Sequence, residues 1–295
     1  MNAIIPRLTG GIGNQLFIYA AARRMAIANS MNLVIDDTSG FKYDVLYKRF
    51  YQLEKFNITS RMATPTERLE PFSKIRRYLK RKINKTYPFA QRAYITQEKS
   101  GFDPRLLVFR PKGNVYLDGY WQSENYFKDI EGIIRQDLII KSPSDSLNIA
   151  TAERIKNTLA IAVHVRFFDM VDISDSSNCQ SNYYHTAIAK MEEKIPNAHY
   201  FIFSDKPVLA RLAMPLPDDR ITIIDHNIGD MNAYADLWLM SLCKHFVIAN
   251  STFSWWGAWL SDNKEKIVIA PDIKITSGVT QWGFDGLIPD EWIKL

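Results

Sequence analysis

The apolar residues of this chain fall into short runs separated by helical segments, a pattern typical of parallel strands that are buried on both faces. In the first half, residues 4–8 predict a strand, residues 14–29 an alanine-rich helix and residues 33–35 the second strand of a βαβ unit. Farther along, residues 115–120 predict another strand and residues 123–138 another helix. The first half is therefore expected to form a parallel sheet with helices packed on it.

The pattern restarts after a polar, proline-containing stretch at residues 141–148. Five apolar runs in the second half predict strands at residues 160–165, 199–203, 221–224, 246–249 and 266–269. The stretch between Phe41 and Tyr94 is irregular, aromatic and basic, and its pattern predicts no particular element. We predict an α/β protein with two Rossmann-like domains, residues 1–145 and residues 146–295, in which a final helix can return to the first domain.

Ligands of open parallel sheets bind beyond the carboxyl ends of the strands, so the residues that follow each strand are the candidates for chemistry. The segment from Ala235 to Ser261 is the most informative, because a buried helix and a short strand lead into a hydroxyl-rich turn and a second helix. The turn contains Asn250, Ser251, Thr252 and Ser254. Such a turn either caps the second helix or leaves its first N–H groups facing an anion, for example a phosphate.

A second candidate group follows residues 160–165, where alternation along the strand directs His164 and Arg166 to the same side. The planar guanidinium of Arg166 suits the oxygens of a departing diphosphate, and a structural ion pair is the alternative. Asp169 and Asp172 follow in the same loop. Either can accept a proton from a substrate hydroxyl, although loop aspartates more often serve in turns.

Two further strand ends carry polar or aromatic side chains. Ser204 and Asp205 end one strand, and Asp205 either binds a ribose or a base edge or caps the helix that Pro207 opens. In the first half, Trp121 and Gln122 follow a strand. A ring beside an amide is typical of sugar sites, while core packing is the alternative for Trp121.

The glycine turn after the first strand brings backbone close to another group. Gly10, Gly11 and Gly13 remove side-chain bulk there, and Asn14 adds a hydrogen-bonding amide at the start of the helix. The dinucleotide fingerprint is not met, because Leu16 occupies the place of its third glycine. A nicotinamide or flavin cofactor is therefore not expected.

Composition narrows the chemistry further. With 295 residues, 46% of them hydrophobic, the chain can bury two cores, and its two cysteines lie outside any CxxC pair. Aspartates separated by one residue are absent, and so is any histidine spacing typical of metal ligands. We expect no metal, and a diphosphate would then be neutralised by Arg166 and helix N-termini. The sequence shows neither a signal peptide nor an apolar span, and a cytoplasmic protein is expected.

The net charge of +5 has one source, the run from Lys74 to Lys85, since removal of its seven basic residues leaves −2. Apolar residues recur within the run at helical spacing and predict an amphipathic helix. A solvated surface helix is the favoured interpretation, and peripheral contact with an anionic membrane is the alternative. Nucleic-acid binding is not expected, because the run lacks interleaved stacking aromatics and a reading motif.

Taken together, the sequence resembles the bacterial α-1,2-fucosyltransferases of glycosyltransferase family 11. The resemblance extends over most of the chain and rests on five segments, GGIGNQLFIYAAARRMA at 10–26, GYWQSENYF at 119–127, HVRFFD at 164–169, FSD at 203–205 and LWLMSLCKHFVIANSTFSWWGAWL at 237–260. The last segment is distinctive by itself.

The resemblance implies a GT-B architecture with two domains facing a central cleft. It also implies a metal-independent, inverting transfer of L-fucose from GDP-β-L-fucose to the 2-hydroxyl of a terminal β-galactoside, which can be lipid-linked. The partners are then GDP-fucose and the acceptor glycan, with no resident cofactor. The implied donor site comprises Gly13, Asn14, His164, Arg166, Ser204, Asp205, Asn250, Ser251, Thr252, Phe253 and Ser254.

Catalysis is assigned by the same resemblance to Arg166, to Asn14 near the reaction centre between the domains, and to a base. Asp169 is the leading base and Asp172 the second, and substrate-assisted transfer is a further alternative. The acceptor would contact Trp121 and Gln122. The chain departs from the HxRRxD pattern of the family, because Phe167 stands at the second arginine. Two rival functions are a GT-B enzyme with another nucleotide sugar or fucosyl linkage and a non-catalytic sugar-binding module.

Overall fold

The structure is a computed structural model that describes residues 2–167, 179, 181–276 and 281–295. The chain divides into two units. Unit 1 comprises Met1–Ile139 with Asp285–Leu287, and unit 2 comprises Ile140–Phe284 with Ile288–Leu295. Each unit contains its own parallel sheet.

Unit 1 is a five-stranded parallel sheet with helices. Its elements are β1 (Ala3–Pro6), α1 (Ile12–Ala28), β2 (Asn32–Ile35), β3 (Arg61–Met62), α2 (Ser73–Thr86), β4 (Tyr94–Thr96), β5 (Val115–Asp118) and α3 (Glu131–Asp137). The strand order is β3-β2-β1-β5-β4. Helix α1 is buried nearly all round, which explains its alanine-rich and weakly amphipathic sequence. The glycine turn joins β1, the central strand, to this buried helix.

Unit 2 is a six-stranded parallel sheet. Its elements are α4 (Ser146–Lys156), β6 (Ala160–Val165), α5 (Ser181–Lys194), β7 (His199–Ser204), α6 (Pro207–Leu212), β8 (Ile221–Ile224), α7 (Ala233–Leu242), β9 (His245–Val247), α8 (Thr252–Leu260), β10 (Val268–Ala270) and β11 (Ile293–Lys294). The strand order is β11-β10-β9-β6-β7-β8. All six residues of β6 are buried, as expected of a strand flanked by two neighbours and covered on both faces.

Aromatic packing holds α8 in unit 2. Trp255, Trp256 and Trp259 form a ring cluster, and Trp292 also contacts Trp255. Gly257 permits close packing of α8 on α7, because a Cβ atom at this position would lie only 2.2 Å from Sδ of Met240. Helix α8 is consequently held in unit 2 by close packing against α7 and by its tryptophan cluster.

The predicted α/β fold class, with a parallel sheet in each unit, is confirmed, and the five strands predicted in the second half correspond to β6–β10. The predicted helix at residues 123–138 is wrong in its first half, where two 3-10 turns precede α3. Phe127 lies outside the helical region with φ −143°, and the side chains of Tyr126 and Phe127 are both buried there. Tertiary packing thus overrides the helical pattern.

The predicted final helix is also wrong. Residues 281–295 form turns and strand β11, with positive φ angles at Gly283 and Gly286 and a proline at Pro289. Residues 285–287 belong to unit 1. Among the described helices, none combines the length and apolarity that crossing a membrane requires.

Candidate active site

Three strand ends meet at one edge of the sheet in unit 2. Strand β6 pairs in parallel with β7 on one side and with β9 on the other, so their carboxyl ends are neighbours. His164 lies near the end of β6 and Arg166 just beyond it, while Asp205 follows β7 and Asn250 follows β9. Residues that are far apart in sequence are therefore brought to one edge, where ligands of such sheets bind.

An ion pair joins the ends of β6 and β7. Nη1 of Arg166 lies 3.2 Å from Oδ2 of Asp205, and the backbone N–H of Phe167 donates to Oδ1 of the same carboxylate at 3.0 Å. The alternative prediction, that Asp205 caps α6, is wrong, because Lys206 is the residue before that helix and its side chain makes no cap. Asp205 instead orients the guanidinium of Arg166. Ser204 closes the turn by accepting from the Lys206 N–H at 3.0 Å.

His164 is buried and neutral at this edge. Burial, with a smaller contribution from the charge of Arg166, lowers the pKa of His164 to about 3. Within the described part of the chain, its Nδ1 atom has no hydrogen-bond partner. A buried ring nitrogen without a partner is uncommon in folded proteins, and it suits a hydrogen bond to a ligand.

The ring of His164 also connects β6 to the start of α8, since its centroid lies 5.5 Å from that of Phe253. The Ser251 hydroxyl accepts from the Phe253 N–H at 3.3 Å, and the Ser254 hydroxyl donates to the Ser251 carbonyl at 3.2 Å. The capping interpretation of this turn is thus confirmed for Ser251. A capped helix still has the positive end of its dipole here, facing the same edge as Arg166.

The remaining residues of the turn have structural contacts. Oδ1 of Asn250 accepts from the Cys179 thiol at 3.3 Å. Burial raises the pKa of that thiol to about 12, so it stays protonated and can donate. Asn250 is buried and Thr252 is half-buried at the first position of α8.

In unit 1, the glycine turn positions Asn14. Gly10 has φ +76°, and a Cβ atom there would lie 2.7 Å from Nδ2 of Asn14. Oδ1 of Asn14 accepts from Nε2 of Gln122 at 2.8 Å. The structure therefore brings together two predicted site residues that are 108 positions apart. Gly13 is buried in the first turn of α1.

The neighbouring Gln15 has a structural role. Its Nε2 atom donates to the carbonyls of Gly10 and Phe50, both at 2.9 Å, and its Oε1 atom accepts from the Gln52 N–H at 3.0 Å. The side chain, which is fully buried, thus ties the glycine turn to the following loop. The buried amide of Gln15 thus supplies hydrogen-bond partners to three backbone groups of the turn and the loop.

The packing of Trp121 contradicts a sugar-stacking role. Its side chain is 1% exposed, and its ring packs edge-on against Tyr126 at 5.7 Å. The backbone at Trp121 has φ +54°, and its N–H donates to Oε1 of Gln97 at 3.1 Å. Core packing is therefore the correct interpretation, because a sugar ring needs an accessible aromatic face.

A charged network at the carboxyl end of β5 was missed by sequence reasoning. Asp118 pairs with Arg7 at 3.2 Å and with Arg81 at 3.0 Å, and it accepts from the Tyr94 hydroxyl at 2.8 Å. Burial raises the pKa of Tyr94, and the adjacent carboxylate adds to that shift. In the sequence, the one sign of this network is an aspartate at the end of an apolar run. The partners of Asp118 come from three separate parts of the chain, so the sequence pattern does not reveal them.

The predicted bases Asp169 and Asp172 lie outside the described residues. Over residues 2–167, 179, 181–276 and 281–295, no cluster of three or more histidine, cysteine, aspartate or glutamate side chains is arranged to hold a metal ion.

Two Rossmann-like units, with a polar edge at the carboxyl ends of the strands of unit 2, are the architecture expected of the GT-B class. The sequence profile of glycosyl transferase family 11 matches residues 4–283, and the chain belongs to that family. Solved structures support the fold class. The fucosyltransferase NodZ from Bradyrhizobium superposes with a TM-score of 0.52 at 14% identity, over 87% of this chain and 91% of NodZ.

Two curated relatives match almost end to end. An alpha-1,2-colitosyltransferase of Escherichia coli is 29% identical, covering 100% of this chain and 99% of its own length. The O-antigen biosynthesis glycosyltransferase WbnK of Escherichia coli is 28% identical over 98% and 99%, respectively. The crystal structure of the alpha-1,6-fucosyltransferase NodZ soaked with GDP-fucose gives a TM-score of 0.53 at 14% identity over 88% of this chain and 92% of NodZ.

Proposed function

We propose that this glycosyltransferase moves L-fucose from GDP-β-L-fucose to the 2-hydroxyl of a terminal β-galactoside, with inversion at the anomeric carbon. The observation that carries the proposal is the edge of unit 2, where Arg166, the buried neutral His164 and the N-terminus of α8 converge. Family membership supports sugar transfer, and the relative with an α-1,2 linkage in its name supports the linkage.

The leaving diphosphate develops negative charge, and Arg166 is its proposed partner. Asp205 accepts one arm of the guanidinium and so fixes its orientation before the ligand arrives. The α8 N-terminus, with Ser251, Thr252, Phe253 and Ser254, adds the positive end of a helix dipole. We propose that these groups make a divalent metal unnecessary, so that activity persists in a chelator.

His164 and Asp205 are the proposed nucleoside-side contacts. The buried Nδ1 atom of His164 would gain a partner in the bound nucleotide. Asp205 also orients the guanidinium of Arg166 through their ion pair. The GDP affinity of Asp205→Asn tests whether Asp205 contacts guanosine directly. Ser204 and Asn250 support the turns that hold these side chains.

On the acceptor side, the amide pair of Asn14 and Gln122 is the proposed sugar contact. Nε2 of Gln122 donates to Oδ1 of Asn14 at 2.8 Å and so fixes the orientation of the Asn14 amide. We propose that the oriented amide contacts a sugar hydroxyl of the acceptor or the reacting fucose. Gly13 permits close backbone approach at the same turn.

Asp169 remains the proposed general base, with Asp172 as the second candidate. Loss of a positioned base costs on the order of 10²- to 10⁴-fold in rate. We therefore expect Asp169→Asn to lower kcat by that amount with little change in the KM for donor. Activity that is retained across the pH range would exclude Asp169 as the base.

The decisive experiment incubates the full chain with GDP-fucose and a terminal β-galactoside and identifies the product linkage by NMR. Arg166→Ala should abolish transfer while the protein stays folded. Arg154→Ala is the matched control, because that guanidinium lies 3.4 Å from His199 at the opposite end of β7. Near-normal turnover of Arg166→Ala would show that Arg166 does not bind the diphosphate. If the wild-type chain neither hydrolyses GDP-fucose nor transfers fucose, the protein is a sugar-binding module and not an enzyme.

A second donor is favoured by one observation, the relative named a colitosyltransferase. Colitose is L-fucose without its 3-hydroxyl. A site that hydrogen-bonds this hydroxyl rejects the deoxy sugar strongly, whereas a site that does not bind it discriminates weakly. The ratio of kcat/KM for GDP-fucose and GDP-colitose shows which donor the enzyme prefers. Calorimetric titration with GDP and with UDP tests which nucleobase the donor site recognises.

A further inference from the structure

Helix α2 has an inverted amphipathic arrangement. Its inward face carries polar residues, Ser73, Arg77 and Asn84, which are buried. Its apolar residues point to solvent instead, with Phe72 just before the helix 74% exposed, Ile75 59%, Leu79 50% and Ile83 53%. A helix of a globular protein normally turns its apolar stripe toward the core.

Specific contacts hold α2 in this orientation. Arg77 pairs with the buried Asp36 at 2.8 Å, and Arg81 pairs with Asp118 at 3.0 Å. Oδ1 of Asn84 accepts from the N–H groups of Ala93 and Tyr94 at 2.7 and 3.0 Å. Rotation of the helix to bury its apolar stripe would break all of these contacts and leave charges buried without partners.

The apolar stripe continues beyond α2. An open groove of about 810 Å³ adjoins the start of the helix, and Phe72 and Ile75 line it together with Tyr43 and Lys74. Tyr43 is itself exposed, and the neighbouring Val45 and Leu46 are exposed as well. A groove lined by exposed apolar side chains is typical of an interaction site.

The charges around the stripe identify the kind of partner. At 100° per residue, Ile75, Leu79 and Ile83 lie within one sector of the helix, and the exposed Phe72 directly precedes the helix. Lys74, Lys82 and Lys85 project on one side of that sector and Arg76 and Lys80 on the other, and the run contains no acidic residue. An apolar strip bordered by cations matches the headgroup and acyl layers of an anionic bilayer.

From this arrangement we propose that α2 is a docking surface for an anionic membrane, on which it lies in the plane of the interface. Phe72, Ile75, Leu79 and Ile83 enter the headgroup–acyl boundary, and the flanking lysines contact lipid phosphates. Because the inward arginines are already paired with unit 1, the helix docks without unfolding from its sheet. The inference rests on the geometry of α2 and does not depend on the proposed donor or acceptor.

The test measures binding of the full chain to phosphatidylcholine vesicles with and without phosphatidylglycerol. Wild-type protein should bind the anionic vesicles, and binding should weaken as salt rises. The charge variant Lys74→Gln/Lys82→Gln/Lys85→Gln should bind about 100-fold more weakly, since each basic residue near an anionic surface contributes about fivefold in affinity. The apolar variant Ile75→Gln/Leu79→Gln/Ile83→Gln should lose binding to a similar extent, because it lacks the apolar side chains that insert into the bilayer.

The matched control is Leu147→Gln/Ile149→Gln/Leu212→Gln, which removes exposed apolar side chains from unit 2 and should bind like wild type. Thermal unfolding midpoints verify that every variant is folded. Equal binding to neutral and anionic vesicles, unchanged binding of either α2 variant, or no binding by wild type would overturn the proposal. So would a wild-type dimer in analytical ultracentrifugation that the apolar variant converts to a monomer, because the stripe would then be covered by a second copy.

Discussion

Two ionisable side chains of unit 2, the buried His164 and the half-buried Asp236, have opposite effects on the pH dependence of stability. Burial lowers the pKa of His164 to about 3, so the folded protein keeps it neutral. Burial raises the pKa of Asp236 to about 7, and a hydrogen bond from Asn227 at 2.8 Å only partly offsets this. Folding therefore disfavours the charged form of each group.

For His164 the unfolded chain binds the proton more tightly. Its contribution to stability is complete above the ordinary histidine pKa of about 6.5 and declines as the pH falls toward 3. Wild-type protein should lose about 2–3 kcal/mol between pH 6.5 and pH 4.5 from this group. His164→Gln removes that part of the slope, as urea denaturation across the pH range would reveal. Identical slopes for the two proteins would show that His164 does not titrate in this way.

For Asp236 the folded protein binds the proton more tightly. Its unfavourable effect is absent below the unfolded pKa, grows as the pH rises from about 4, and is complete above about 7. Asp236→Asn preserves the acceptor for Asn227 and should raise the free energy of unfolding by about 2–4 kcal/mol at pH 8. Little difference is expected at pH 3.5. A variant that is no more stable than wild type at pH 8 would contradict the raised pKa.

At the scale of elements, α2 and α8 are held in place by different kinds of interaction. The inward face of α2 depends on ion pairs with aspartates at strand ends, whereas α8 depends on tryptophan packing and on one glycine against α7. Removal of one partner from a buried ion pair leaves an uncompensated charge. Added bulk in a packed helix contact forces the neighbouring atoms to move.

The buried pair of α2 should be sensitive to truncation. Arg77→Met leaves Asp36, which is 2% exposed, without its cation and should destabilise unit 1 by about 3–5 kcal/mol. Arg61→Met is the control, because that arginine pairs with Glu67 at the surface and should change stability by less than about 1 kcal/mol. Urea denaturation of both variants measures the difference. Equal losses would show that burial does not strengthen the Arg77 pair.

The contact between α7 and α8 gives a steric prediction. Gly257→Ala places a methyl group against Met240, which is fully buried, and should destabilise unit 2 by about 1–3 kcal/mol. Gly132→Ala in α3 meets no atom within 4 Å and should stabilise by up to about 1 kcal/mol through helix propensity. Thermal denaturation should therefore shift in opposite directions for the two variants. A stabilising Gly257→Ala would mean that Met240 relaxes freely.

At the scale of the whole molecule, the two units have separate sheets, and the proposed nucleotide site belongs to unit 2 alone. His164, Arg166, Asp205 and Ser251 all lie in that unit. A ligand that binds only the folded form stabilises whatever must fold to create its site. Nucleotide binding should thus distinguish the units thermodynamically.

GDP should increase hydrogen-exchange protection in peptides from β6, β7 and α8, with no matching change in β1, β2 and β5. At 100 times its dissociation constant, GDP should add about 2.7 kcal/mol to the free energy of unfolding of unit 2. Mass-spectrometric exchange on the full chain measures both units in one sample, and Arg166→Ala provides the control without a phosphate partner. Protection confined to unit 1 would contradict the assignment of the nucleotide site.

Much of the fold was predictable because the signal is local. Apolar runs of strand length with helices between them require strands covered on both faces, and β6–β10 follow those runs. The positions of Arg166, Asp205 and Asn250 at strand ends follow from the same pattern, because parallel strands expose their carboxyl ends at one edge. The resemblance in motifs correctly indicated the family.

What the sequence alone determined is the succession of strands and helices and the polar edge at which they end, because periodicity and capping act over a few residues. Only the tertiary structure decided which partner each polar side chain takes. Asp205 pairs with Arg166 and leaves α6 uncapped, Trp121 enters the core, and the arginines of α2 turn inward to aspartates. These outcomes depend on groups up to 41 residues apart, as for Arg77 and Asp36, whose proximity exists only after the sheet has formed.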